Sequence, residues 1–241
     1  MTMKDKVKLF IGTSSNGEDA LIEMAYEYTL RNNSFRSIEI VWMRKTDDPN
    51  SFWHGFADQN WSTPFSGFRW AIPEYCNFEG RAIYTDVDML NFHDIGELFD
   101  MDMGDNVMLA RDGKRFGGKE FCVILFDCSK FKGQKPSSQW KVDPTAHHKF
   151  INFVQQEISI GTLDPAWNSH DGDVEPFKQI HYTHMPTQPW KPKWFTGETV
   201  DHPKQELVEL FWDKVDEAEN EGYRVEDYAV DRGIQYGIIG Q

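Results

Sequence analysis

Arg81-Ala82-Ile83-Tyr84-Thr85-Asp86-Val87-Asp88 (RAIYTDVD) is the stretch on which the fold turns. Ala82 to Thr85 are apolar, aromatic or β-branched, the composition of a buried strand. The run ends on two carboxylates. In extended chain, residues two apart point to the same side, so Asp86 and Asp88 are expected to converge at the strand's C-terminal edge. Open α/β sheets bind their ligands at that edge. Asp100-Met101-Asp102 and Asp171-Gly172-Asp173 repeat the spacing, but neither follows an apolar strand.

Working upstream, Val7–Gly12 (VKLFIG) reads as a short buried strand and Thr13–Gly17 (TSSNG) as a polar turn. Glu18–Arg31 has apolar residues at helical spacing, among them Leu21, Ala25, Tyr28 and Leu30, and Ser37–Met43 (SIEIVWM) is a second strand. Strand, turn, helix, strand is the opening of a Rossmann-like unit in an α/β protein. Residues 44–63 are polar and broken, a long loop of the kind that tends to be functional.

Downstream, Pro64–Tyr75 is expected to be a helix ended by Pro73, and Asn91–Phe99 a short helix. Asn106–Ala110 and Glu120–Asp127 are expected strands. Thr145–Ile160 reads as a helix, Asp164–Glu175 as irregular chain and Phe177–Tyr182 as a strand. Lys204–Glu221 is an amphipathic helix with an acidic face. With no internal repeat and no linker, residues 1–241 read as one domain.

A net charge of −14 argues against nucleic acid, which needs a basic stripe to displace counterions. It does not exclude a phosphorylated ligand, provided a metal supplies the local positive charge. The three cysteines, Cys76, Cys122 and Cys128, form no CxxC and suit a reducing compartment. No apolar run approaches a membrane span. The expected location is therefore the cytoplasm. Aromatic residues reach 15%, a composition that cores, sugar sites and nucleotide sites all use.

Three constellations bear on chemistry. The carboxylates of Asp86 and Asp88 suit Mg²⁺ or Mn²⁺, either of which can bridge to a diphosphate. Ile180-His181-Tyr182-Thr183-His184 offers imidazoles, good partners for carboxylates on a manganese-like ion. Gly113–Glu120 nearly matches a phosphate-binding P-loop, but Glu120 stands where the hydroxyl ligand of Mg²⁺ is required, so turn chemistry explains its glycines better.

In their order along the chain these motifs resemble the family 8 retaining glycosyltransferases of the glycogenin and bacterial galactosyltransferase type. The phrase IYTDVDMLNFHDIGELFD is the most specific match, and QIHYTH followed by Gln188-Pro189-Trp190 is similar to the family's terminal motif. The resemblance implies a GT-A, Rossmann-like fold with a mixed sheet flanked by helices. It implies Asp86, Asp88 and His181 as ligands of Mn²⁺ (or Mg²⁺). Phe10, Ile11, Gly12, Thr13 and Ser14 would hold the nucleotide, together with Arg69, Asp86 and Val87. Asp127 would lie beside the acceptor, and Gln156 would correspond to a family element that positions donor or acceptor.

The implied activity is transfer of a sugar from a nucleoside diphosphate donor, a UDP-hexose, to a carbohydrate or other hydroxyl acceptor with retention. The sequence departs from the family at Gln188, where the family has a lysine on the diphosphate; Lys191 or Lys193 is the expected replacement. The departure also leaves room for a non-catalytic nucleotide-sugar or carbohydrate-binding protein on the same fold.

Overall fold

The computed structural model describes residues 6–56, 63–114, 118–131, 146–193 and 195–229. The chain divides into two compact units that interleave in sequence. The first comprises Met1–Ser14, Phe35–Asp86 and Ile95–Pro165; the second comprises Ser15–Ser34, Val87–Asp94 and Ala166–Gln241.

The first unit is built on a mixed sheet. Its strands are β1 (Val7–Gly12), β2 (Ile38–Met43), β3 (Arg81–Asp86), β5 (Met108–Asp112), β6 (Lys119–Asp127) and β7 (Ile160–Thr162), while β4 (Met89–Asn91) belongs to the second unit. Their order is β2-β1-β3-β6-β5-β7. β1 runs parallel to β2 and β3, whereas β6 runs antiparallel to both β3 and β5. The edge that carries Asp86 therefore also receives the end of β1, where Gly12 pairs with Asp86, and the start of β6.

Aromatic side chains fill this unit's core. Phe10, Phe65, Phe68, Trp70, Tyr84 and Phe126 pack with Ile151, Val154 and Ile158, the first two of which lie on helix α4 (Ala146–Glu157). The Trp53 ring stacks on Tyr75 with centroids 5.5 Å apart. Much of the aromatic excess is thus structural, supplying large buried area per residue.

The second unit holds a small sheet, β4 (Met89–Asn91), β9 (Gln179–His181) and β8 (Ser169–His170), in the order β4-β9-β8. Helices α1 (Ala20–Asn32), α5 (Gln205–Asn220) and α6 (Glu226–Ala229) belong to it. α5 buries Leu207, Phe211, Val215 and Ala218, one stripe at helical spacing. Tyr28 on α1 donates to Glu217 on α5 at 3.1 Å, and Tyr228 on α6 donates to Glu27 on α1 at 3.0 Å.

Several sequence expectations need correction. Residues 64–75 form a 3-10 turn at Phe68–Ala71 followed by α2 (Ile72–Tyr75), and Pro73 opens α2 instead of ending a helix. A proline's fixed φ and missing N–H suit the first turn of a helix. The helix expected over Asn91–Phe99 is shorter, α3 (Ile95–Phe99), because Asn91 is in β4. The helix expected over Thr145–Ile160 is α4, which ends at Glu157, and Ile160 falls in β7, a strand too short to show a period of two.

The cysteines carry no disulfide. Among the described residues, no helix is long and apolar enough to cross a membrane.

Candidate active site

Asp86 ends β3 in the first unit, and its carboxylate is held by its own neighbours. Arg69, in the turn before α2, donates from Nη2 to Asp86 Oδ1 at 3.1 Å. The same guanidinium donates from Nε to the Ser66 carbonyl at 2.9 Å and from Nη1 to the Phe121 carbonyl. The Tyr84 hydroxyl also donates to Asp86. Tyr84 and Asp86 are two residues apart in a strand, so one face carries both.

The Arg69 guanidinium lies over the Tyr84 ring, 4.5 Å from its centroid. Burial opposes its charge, but Tyr84 and Asp86 outweigh that and raise its pKa. Burial, with Asp86 alongside, also pushes the Tyr84 phenol well up, so Tyr84 acts here as a hydrogen-bond donor.

Gly12, opposite Asp86, lies where a Cβ would come within 2.7 Å of the Phe65 ring and 2.9 Å of the Tyr84 hydroxyl. Phe10 and Ile11 are fully buried, and the Phe10 ring meets Tyr75 edge-on in the core. Of this expected nucleotide segment, Gly12 is the residue that pairs with Asp86. Thr13 donates its N–H to the Met43 carbonyl at 3.1 Å, which extends the β1–β2 pairing past Gly12.

Asp88 lies in the second unit, with Val87 buried beside it. The antiparallel β4–β9 register sets Met89 opposite His181, and Tyr182 N–H bonds to the Asp88 carbonyl at 2.9 Å. That register brings His181 Nε2 to 3.2 Å from Asp88 Oδ1. Gln188 Nε2 donates to the other oxygen, Asp88 Oδ2, at 3.0 Å, and to the Tyr182 carbonyl at 2.9 Å. Among the described residues, the buried Asp88 Oδ1 accepts no hydrogen bond.

His181 is itself oriented. Its Nδ1 lies 2.9 Å from Asn168 Oδ1. An amide oxygen can only accept, so Nδ1 carries a proton, and whenever the ring is neutral Nε2 is the bare nitrogen that faces Asp88. A lone pair against a carboxylate oxygen is repulsive, and either a proton on Nε2 or a metal ion between the two relieves it. A buried carboxylate oxygen without a donor and an imidazole nitrogen turned the same way form a donor set that fits a divalent ion of the manganese type.

Other expected residues stand elsewhere. Asp127 ends β6, and the antiparallel register pairs it with Arg81, at the opposite end of β3 from Asp86. Five residue steps of strand separate the two ends, roughly 16 Å at about 3.3 Å per residue, so the structure does not bring Asp127 to Asp86. Asp127 instead accepts from Ser129 at 2.5 Å and lies 3.6 Å from Lys130 Nζ.

Gln156 is exposed in the last turn of α4, ahead of β7. β7 enters the sheet level with Met108, itself opposite Phe126 beside Asp127, so Gln156 leads into the edge away from Asp86.

Lys191 does not offer an unengaged charge. Its buried ammonium lies 3.3 Å from Glu18 Oε1 and 3.1 Å from Asp19 Oδ1. Lys193 is exposed.

The near P-loop lies between antiparallel strands: Gly113 N–H bonds to the Gly118 carbonyl at 3.0 Å across the β5–β6 connection. A P-loop joins a strand to a helix, so the rejection of that motif stands on topology as well.

Sequence reasoning did not single out Tyr84 or Asn168. Tyr84 left a readable sign, its spacing of two from Asp86. Asn168 left none, because its partner lies on another strand.

No protein-family profile matches the chain, and no curated protein matches it. Solved structures do. The apo structure of the bifunctional glycosyltransferase WbbM aligns with 14% identity and a TM-score of 0.61, over 96% of this chain and 52% of that one. This chain thus spans about half that protein's length.

The galactosyltransferase LgtC, solved with donor and acceptor sugar analogues, aligns with 14% identity and a TM-score of 0.61, over 88% of this chain and 96% of that one. The glycosyltransferase GlyE of Streptococcus pneumoniae TIGR4 gives 16% identity and a TM-score of 0.58, over 99% and 66%. The class so defined is the GT-A glycosyltransferase fold, an α/β fold on a mixed sheet, as the resemblance to family 8 implies.

Proposed function

We propose that residues 1–241 act as one metal-dependent glycosyltransferase domain. The domain moves a sugar, a hexose from a uridine diphosphate donor, to a carbohydrate or other hydroxyl acceptor with retention. The observation that carries the reading is the Asp88–His181 pair, with Nε2 at 3.2 Å from an oxygen that lacks a hydrogen-bond donor. Asp88 and His181 would hold Mn²⁺ (or Mg²⁺), with Asp86, two residues earlier on the chain, as the third protein ligand. The bound ion supplies Lewis-acid neutralisation of the diphosphate leaving group.

The chain's own residues do the rest. Arg69 and Tyr84 fix the Asp86 carboxylate by hydrogen bonds to it. Gly12, paired with Asp86, lets the Phe65 ring and the Tyr84 hydroxyl pack against β1 where any side chain would clash. The acceptor hydroxyl attacks the anomeric carbon from the face the diphosphate leaves, as the bond to the diphosphate breaks, and its proton passes to the departing diphosphate. The cytoplasm, where nucleotide-sugars are used in a reducing setting, is the proposed location.

A second reading has a specific observation behind it. Lys191 is engaged by two carboxylates and Gln188 spends its amide on Asp88, so neither offers its charge or donor to a diphosphate. A non-catalytic nucleotide-sugar or carbohydrate-binding protein would tolerate that loss.

One panel separates the readings. Nucleotide-sugars are screened with Mn²⁺ for thermal stabilisation and for slow donor hydrolysis. A ligand at a hundred times its Kd adds about 2.7 kcal/mol of apparent stability. UDP-hexose with Mn²⁺ should stabilise the wild type and be hydrolysed, and Asp88→Ala should abolish both effects. Binding without hydrolysis selects the second reading, and no metal-dependent stabilisation by any nucleotide-sugar defeats the first reading and the nucleotide-sugar form of the second.

A further inference from the structure

Asn168 is fully buried at the end of the 3-10 turn Pro165–Asn168, immediately before β8. β8 runs parallel to β9 with Ser169 opposite Ile180 and His170 opposite His181. That register delivers the Asn168 side chain to the His181 ring, 2.9 Å from Nδ1. The ring is 3% exposed and is met edge-on by His170, centroids 5.3 Å apart. It therefore sits in a packed environment where rotation or a change of tautomer is costly.

A neutral imidazole has one protonated nitrogen, and the partner of one nitrogen decides what the other presents. If Asn168 turned its amide N–H₂ to Nδ1, the proton would sit on Nε2 and point at Asp88. The His181–Asp88 pair would then be an ordinary hydrogen bond with no vacancy for a cation. Asn168 Oδ1 against Nδ1 gives the opposite result, a lone pair on Nε2 beside a carboxylate oxygen.

We infer that Asn168 is a positioning residue that fixes His181 in its Nδ1–H tautomer, so that Nε2 is ready as a metal ligand before any ion arrives. The inference rests on the metal-dependent reading above. It adds the residue that creates the ligand, and it states the preference in the metal-free protein.

The test has two readouts. The first is the ring-nitrogen chemical shifts of His181 by ¹⁵N NMR in metal-free wild-type protein, which distinguish the tautomers directly. Protonated Nδ1 and bare Nε2 are expected; protonated Nε2 overturns the inference whether or not the protein binds metal.

The second is Mn²⁺ affinity by electron paramagnetic resonance. Loss of such an outer partner typically weakens metal binding by about 10- to 100-fold. Asn168→Ala should fall in that range, while Asn168→Asp, which keeps an acceptor oxygen at Nδ1, should restore affinity to near the wild-type value. An Asn168→Ala protein that keeps full affinity overturns the inference while leaving the metal-dependent reading intact. Wild-type protein that binds no Mn²⁺ defeats that reading, and the tautomer measurement still decides the role of Asn168. Should Asn168→Ala not fold, Asn168→Asp and the wild-type spectrum carry the test.

Discussion

Gln188 donates from one amide nitrogen to Asp88 Oδ2, at 3.0 Å, and to the Tyr182 carbonyl, at 2.9 Å. It holds one oxygen of Asp88 while the other faces His181. A lysine at 188 would bring an ammonium to the same oxygen and compete with a divalent ion. Gln188→Lys should therefore weaken Mn²⁺ binding in a calorimetric titration. Faster turnover without weaker binding would show that residue 188 addresses the diphosphate instead. Gln188→Ala leaves a part-buried carboxylate oxygen without this donor, at a cost of about 1 kcal/mol of stability.

Arg69 ties three segments together through Ser66, Phe121 and Asp86. Its removal strands a largely buried carboxylate, and breaking such a pair costs about 3–5 kcal/mol. Arg69→Ala should lower the urea midpoint by a corresponding amount. Arg69→Lys should recover little of it, because a point charge cannot reproduce the planar fork. Full rescue by lysine would mean that charge alone matters here.

Lys191 neutralises Glu18 and Asp19, and the Trp190 indole N–H donates to Asp19 at 3.2 Å. Lys191→Met should destabilise the fold, because it leaves two neighbouring carboxylates without their cation. Any fall in donor hydrolysis should be removed by assaying at a temperature where the variant is fully folded. A folded variant with normal KM and a sharply lower kcat would instead assign Lys191 to the leaving group.

Asp127 lies at the far end of β6 from Asp86. Asp127→Asn should leave the kcat and KM of donor hydrolysis within a factor of about two, an energy of roughly 0.4 kcal/mol. A loss of kcat without a loss of stability would place the reacting centre elsewhere.

The sequence by itself determined the strands that carry the fold. VKLFIG, SIEIVWM, RAIYT and EFCVILFD each have the local composition of strands, and they fall on β1, β2, β3 and β6 to within a residue at either end. The α5 helix was equally legible, since its apolar stripe and acidic face repeat at the helical period. Asp86, Asp88 and His181 stood out because their residue types are suited to a cation.

What only the tertiary structure decided is whatever depends on strand polarity and distant partners. An apolar run carries no sign of its direction in a sheet, so the sequence could not show that β6 runs against β3. That reversal moves Asp127 to the opposite edge. Ion-pair choice is likewise non-local: nothing near Lys191 in sequence announces Glu18 and Asp19. The proton on His181 is decided by Asn168 across β8 and β9, because a tautomer follows from the hydrogen-bond partner a neighbouring strand supplies and not from the residue itself.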